Sequence, residues 1–190
     1  IYIYIYMDNF LLIIFTFIII IINSNRINKE KSIVAIANIH NMNGINGNIM
    51  FYQYSTDDNV LIDIDLTGLP PNAELGFHIH EAGDVTDGCK SACAHFNPFN
   101  SVHGGPNSKI RHVGDLGNII TDNNGNCKMK FTDHVIRLDG NVTNIIGRSV
   151  VIHGKKDDLG LSNNNESLIT GNAGPRIACS VIGYSKKMFK

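Results

Sequence analysis

The 190 residues contain no tryptophan, no Cys-x-x-Cys pair, only 5 prolines and no surplus of either charge, with 16 basic residues against 17 acidic ones. Each shortage excludes a class. Balanced charge leaves no broad cationic surface of the kind a nucleic-acid binder presents to phosphates, so no nucleic-acid partner is expected. Without Cys-x-x-Cys there is no thiolate cluster for iron-sulfur chemistry. Beyond residue 31 no helical periodicity of useful length occurs, which argues against a helix bundle. At 43 % hydrophobic with 18 glycines the chain is too apolar for a disordered one. Its length suits one ordinary domain plus an extension.

The extension is a hydrophobic leader. Phe10 to Ile22 is apolar except for Thr16, and counted from Met7 this core of about 13 residues fits a secretory signal peptide. Asp8 stands where such a peptide carries a positive residue, and Arg26, Lys29 and Lys31 lie on the far side, which leaves a retained membrane anchor as the alternative. The expected organisation is therefore a leader with a short linker over 1–31 and one domain over 32–190. The expected destination is secretion or export, with membrane contact only if the leader is retained. Four cysteines, 89, 93, 127 and 179, permit disulfides in that compartment.

From Ser32 onward short apolar runs alternate with Gly, Asn and Asp turns. Ile33 to Ile39, Ile49 to Tyr54 and the alternating 62–66 read as antiparallel strands, with Asn43-Gly44 and Asn46-Gly47 as turn dipeptides. Asn118 to Thr121 and Lys128 to Thr132 flank Asp122-Asn123-Asn124-Gly125 and read as a further hairpin; Gly147 to Ile152 and Ile177 to Ile182 supply the last strands. The class is all-β, a sandwich or barrel. Glu81 to Gly117 and His153 to Pro175 break the rhythm, and loops of that length in a small domain are usually functional.

The histidines concentrate there. His78 and His80 sit two apart in a strand-like segment, so both rings leave one face and can reach one ion. The first long loop adds His95, His103, His112 and Asp115, a set of three imidazoles and a carboxylate suited to tetrahedral zinc, and His153 opens the second. His40 and His134 lie elsewhere and read as surface or structural residues. All-imidazole ligation suits copper or zinc. Six imidazoles and Asp115 exceed the needs of one ion, which implies two adjacent ions, one of them redox-active.

Gly76-Phe77-His78-Ile79-His80-Glu81, Gly88-Cys89, His95-Phe96-Asn97-Pro98, His103-Gly104-Gly105-Pro106, Arg111 to Gly117, Asp157-Asp158-Leu159-Gly160 and Gly171 to Cys179 together resemble copper/zinc superoxide dismutase over nearly the whole chain after the leader. The resemblance implies an eight-stranded antiparallel Greek-key sandwich or barrel with two long functional loops. It implies copper on His78, His80, His95 and His153, and zinc on His95, His103, His112 and Asp115, with His95 shared between the ions and passing a proton in catalysis. Asp157 is implied to link a copper histidine to a zinc histidine. Cys89 and Cys179 are implied to form the disulfide that steadies Arg176, a permanent cation beside copper. The implied reaction converts superoxide to oxygen and hydrogen peroxide through alternating copper oxidation states. A second copy of the chain and a copper chaperone are the implied partners.

Several positions depart from that pattern. Asn165 and Ile169 stand where many relatives carry charge, so weaker long-range steering is expected. Cys93 is additional, and with Cys127 it is left to a second disulfide, to free thiols or to metal contact. Gly83, Ile146, Gly147 and Tyr184 fall near segments that family dimers use, while Ala82 is small for its place. Asn141-Val142-Thr143 and Asn165-Glu166-Ser167 are glycosylation sequons. A non-enzymatic metal-binding domain and a tethered zinc-only protein are the competing readings; the complete copper set and Arg176 argue against both.

Overall fold

Alternation of apolar and polar residues builds two facing sheets. The computed structural model describes residues 32–140 and 142–189, together with Ile14. The leader expectation and Asn141 lie outside the described residues, Ile14 aside. The strands are β1 (Ile33–Met42), β2 (Ile45–Gln53), β3 (Val60–Thr67), β4 (Glu74–His80), β5 (Asp115–Ile120), β6 (Cys127–Asp133), β7 (Ser149–His153), β8 (Arg176–Val181) and the two-residue β9 (Gly183–Tyr184). One antiparallel sheet has the order β6-β3-β2-β1-β9, the other β5-β4-β7-β8. The expected all-β architecture stands, with β9 a short edge addition to eight main strands.

In β3 the alternation sends Val60, Ile62, Ile64 and Leu66 inward and leaves Asp63 and Asp65 outside, paired with Lys130 and Lys128 of β6 at 3.0 and 3.6 Å. Phe51, Phe77, Phe96, Ile49 and Ile79 fill the space between the sheets. Burying each such side chain contributes about 1.5–3 kcal/mol. β4 and β7, at the centre of the second sheet, are buried along almost their whole length, and the site histidines lie on these two strands and in the first long loop.

Two turn expectations need correction. Asn43-Gly44 closes the β1–β2 hairpin with both φ angles positive, 48° to 84° being the range from Asn41 through Gly44 for its left-handed residues. Asn46-Gly47, the same dipeptide three residues on, lies inside β2. Gly47 is needed there because a Cβ would overlap the Asp65 carbonyl oxygen of β3. The turn at Asp122 also forms: the Asp122 carboxylate accepts from the backbone N–H of Asn124 and Asn126, both at 2.8 Å. Its flanking strands do not pair as a hairpin. β5 pairs with β4 and β6 with β3, so the turn is a corner carrying the chain between sheets.

Candidate metal centre

β4 and the first long loop are locked by backbone hydrogen bonds. The Phe96 N–H donates to the Ile79 carbonyl, the Ile79 N–H to Gly114 and the Gly114 N–H to Phe96, all at 2.9 Å. Gly114 permits this close approach, since a Cβ there would run into the Ile79 carbonyl. The loop residue His95 therefore lies beside His80. His153 ends β7, whose residues pair with β4, and Asp115 opens β5 opposite His78.

Hydrogen bonds then fix which nitrogen of each ring carries the lone pair. His80 donates from Nδ1 to the Cys93 carbonyl at 2.8 Å, and His153 donates from Nδ1 to the Gly174 carbonyl at 3.1 Å. Their Nε2 atoms, both left as acceptors, face one another at 3.3 Å. His78 donates from Nε2 to Asp157 at 2.8 Å, leaving Nδ1 buried without a partner among the described residues, and His95 Nε2 is likewise buried and unpartnered among them. Four acceptor nitrogens, from His78, His80, His95 and His153, thus lie within 4.8 Å of one another. Lone pairs meeting in a dry site repel unless a cation lies among them, so this set fits a copper ion.

The adjoining set obeys the same logic. Asp115 Oδ2 accepts from the backbone N–H of Gly104 at 3.0 Å and of His112 at 2.8 Å. Its Oδ1 faces Nδ1 of His95, His103 and His112 at 2.9, 3.0 and 3.1 Å. His103 and His112 spend Nε2 on Asp157 at 2.8 Å and on the Ser101 carbonyl at 3.1 Å. Three imidazoles and a carboxylate converging in this way fit tetrahedral zinc. Asp157 spans the two sets, accepting from His78 on one oxygen and His103 on the other.

Electrostatics agree with the tautomers. Burial foremost, with help from the neighbouring His95, lowers His78 from 6.5 to about 3 and His80 to about 2; burial also lowers His153 to about 4 and pushes His95 down. Burial opposes charge on His103 too, but its hydrogen bonds to Asp115 and Asp157 outweigh it and raise the ring to about 9. Burial would raise both carboxylates, yet their imidazole partners pull Asp115 well below the usual range and Asp157 to about 2. In the metal-free chain a proton on His103 thus supplies the positive charge that a divalent ion would supply to all donors at once.

A pH dependence follows. Below about 6.5 the unfolded chain protonates His78, His80 and His153 while the folded metal-free chain does not, so the folded state loses up to about 1.4 kcal/mol per pH unit per ring as pH falls. His103 works in the opposite sense: its contribution is complete below 6.5 and lost as pH rises through about 9. The thermal midpoint of metal-stripped protein should drop steeply between pH 6.5 and 5; a level or rising midpoint there would contradict the neutral-ring assignment.

Residues 45–182 match the family described as Copper/zinc superoxide dismutase (SODC). The chain belongs to that family. The copper/zinc superoxide dismutase of Paramecium bursaria Chlorella virus 1 is 53 % identical over 181 residues, covering 94 % of each protein, and that of Saccharomyces cerevisiae is 53 % identical over 142 residues, covering 75 % of this chain and 92 % of the relative. A solved structure titled as the clock protein EA4 superposes with a TM-score of 0.75 at 47 % identity, over 82 % of this chain and 96 % of its own.

Every histidine that the sequence singled out for the superoxide dismutase site, with Asp115 and Asp157, joins the cluster; His40 and His134 are exposed. Cys89 and Cys179 are disulfide-bonded, whereas Cys93 is exposed and free and Cys127 buried and free. A second disulfide is thereby excluded, and it is the Cys93 carbonyl, not its sulfur, that serves the site. Arg176 donates to the carbonyls of Cys89 at 2.7 Å and Cys93 at 2.6 Å. It lines a pocket of about 490 Å³ with His80, His95, His153 and Thr170.

Three contributors escaped sequence reasoning. Asn118 clamps Asp157 by exchanging two 2.8 Å hydrogen bonds with its backbone. Arg111 is buried, donates to the Asp115 carbonyl and pairs with Asp133, tying the zinc-binding loop to the end of β6. Gly171 packs against Asp157 and His103. Arg111 and Gly171 open motifs that carry the family resemblance, but neither their roles nor that of Asn118 could be read from the chain.

Proposed function

We propose that the chain is a superoxide dismutase that takes one copper and one zinc ion on adjacent sites and converts two superoxide ions and two protons to dioxygen and hydrogen peroxide. The observation that carries this reading is His95: one buried ring contributes a nitrogen to each of two converging donor sets. His78, His80, His95 and His153 would hold copper, and His95, His103, His112 and Asp115 would hold zinc. Copper, when bound, supplies the one-electron alternation that dismutation requires, and zinc supplies fixed positive charge.

The remaining work falls to side chains of this protein. Arg176, tethered through carbonyls of the disulfide-bonded loop, keeps a permanent cation at the pocket, where it attracts a small anion and hydrogen-bonds to it without titrating. His95 Nε2 has no protein partner among the described residues, and His95 lines the pocket with His80 and His153, so the ring can take and release a proton there. Asp157 and Asp115 fix the rings around it, which holds the donor atoms in place. At the mouth Thr170 donates to Glu166 at 2.6 Å and Ile169 is 58 % exposed. An acid and an apolar residue at that mouth support the expectation of weaker steering. Protein purified from its native host should carry one copper and one zinc per chain and dismutate superoxide; zinc without copper, or two metals without activity, would overturn the reading.

We further infer a homodimer through the surface around Gly83, Ile146, Gly147 and Tyr184, with Tyr184 exposed in support; a single-chain mass by sedimentation equilibrium would remove that inference. Copper delivery by a chaperone and export through the 1–31 leader belong to the same proposal. N-terminal sequencing of the mature protein tests the second.

A further inference from the structure

Away from the histidines, three sulfur atoms from distant parts of the chain meet at the rim of the fold. Met42 ends β1, Cys89 lies in the 3-10 helix Gly88–Ala92, and Cys179 is in β8. The Met42 thioether is 3.6 Å from Cys89 Sγ and 3.9 Å from Cys179 Sγ, and it accepts the Cys179 backbone N–H at 3.2 Å. With Ala92 and Val151 the three residues form a small apolar cluster separate from the main core.

Each sulfur is held by contacts that do not require the disulfide. Met42 pairs with Ile45 across the Asn43-Gly44 turn, and Asn43 anchors that turn to β8 by donating to the Ile177 carbonyl at 2.9 Å. Arg176 grips the Cys89 carbonyl, and the Ala82 N–H donates to Ala92 at 3.0 Å, which hold the 3-10 helix. Cys179 is fixed by β8 pairing with β7. Reduction therefore frees two thiols without dispersing the group.

We propose that when the Cys89–Cys179 bond is reduced, these cysteines and Met42 form a three-sulfur site for a soft monovalent cation, Cu(I) or Ag(I). Thiolates and a thioether are soft donors that favour such ions over hard cations, and three sulfurs leave the four-coordinate shell of zinc incomplete. Trigonal coordination with metal–sulfur bonds of about 2.3 Å spaces the sulfurs about 4 Å apart. Met42 already stands at that spacing from both cysteines, so only the two cysteine sulfurs have to separate. The chemistry balances: a thiol or phosphine reductant supplies two electrons, the sulfur–sulfur bond breaks, each sulfur takes a proton, and each proton returns to solvent as a metal–thiolate bond forms. Filled copper and zinc sites do not compete, because their ligand lone pairs are occupied.

The test uses the full chain loaded with copper and zinc and carrying Cys93→Ser, which removes the exposed thiol. It is reduced with a phosphine, freed of reductant under nitrogen and titrated with Ag(I). One Ag(I) per chain is expected, with none bound at the same concentration when the disulfide is intact. Met42→Leu should weaken binding by about tenfold or more, the scale on which a lost metal-site contact is felt. Silver X-ray absorption on the Met42-containing protein should show three sulfur neighbours. Equal uptake by the oxidised form, undiminished affinity in Met42→Leu, or a shell of two sulfurs would each overturn the site.

Discussion

His153→Ala is expected to lose dismutase activity while keeping its fold and its zinc. Of the four nitrogens converging in the copper set, the His153 Nε2 belongs to no other set, whereas His95 also faces Asp115 and His78 is tied through Asp157 to His103. Removing the ring should cost more than the roughly 10–100-fold loss of metal affinity that follows deletion of a ring-orienting partner. The same substitution also relieves the metal-free chain. It removes the 3.3 Å encounter between two acceptor nitrogens and one of the rings that must stay neutral on folding. The stability of metal-stripped His153→Ala should therefore fall less steeply between pH 6.5 and 5, by about 1.4 kcal/mol per pH unit where that ring titrates fully. Activity assay, metal content and the pH slope read three separate consequences of one nitrogen; full activity in the variant would remove His153 from the copper set.

Much of this centre was visible in the chain because its chemistry needs rare residues. Six histidines in or beside two turn-rich loops stand out in any composition, and a His-x-His pair in a strand predicts convergence from period alone. Strand existence was legible for the same reason, as in β3, where apolar and acidic residues alternate without interruption. What stayed hidden depends on ordinary residues used at a distance. Asn118 reaches Asp157 across 39 positions and Arg111 reaches Asp133 across 22, and nothing local to either pair announces the pairing. The paired Asn-Gly dipeptides show the limit most directly. Asn43-Gly44 makes the hairpin, while Asn46-Gly47 serves a strand because the β3 backbone lies against Gly47, a fact set by packing and not by the dipeptide. Likewise Asp122 to Gly125 was a sound turn between strands that belong to different sheets. Turn chemistry specifies a reversal of direction but not which strands pair after it.

Gly171→Ala should disable the bridge between the two donor sets without replacing a ligand. Gly171 follows the one-turn helix Ser167–Thr170 at φ 67° and ψ 20°, where its N–H returns to the Ser167 carbonyl at 3.2 Å. Two costs arise when a Cβ is added. Left-handed backbone strain amounts to about 1–2 kcal/mol for a residue with a Cβ. The second cost is local: the new carbon would overlap the Asp157 carboxylate and crowd His103 Nε2. Asp157 must then give up a position from which it accepts from both His78 and His103 at 2.8 Å, and both rings lose the bond that sets their tautomer. Gly140→Ala separates the two costs, because Gly140 has φ 69° but nothing within 4 Å of an added Cβ. That variant should show the strain alone, with both metals retained at parental affinity. Gly171→Ala should add a fall in copper and zinc affinity of roughly 10–100-fold. In an Asp157→Ala background the gap between the two glycine variants should shrink, since the carboxylate that the new carbon overlaps is gone and only the backbone strain and the crowding of His103 remain. Parental metal affinity in Gly171→Ala, or an undiminished difference between the two variants without the Asp157 carboxylate, would show that the bridge does not depend on this cradle.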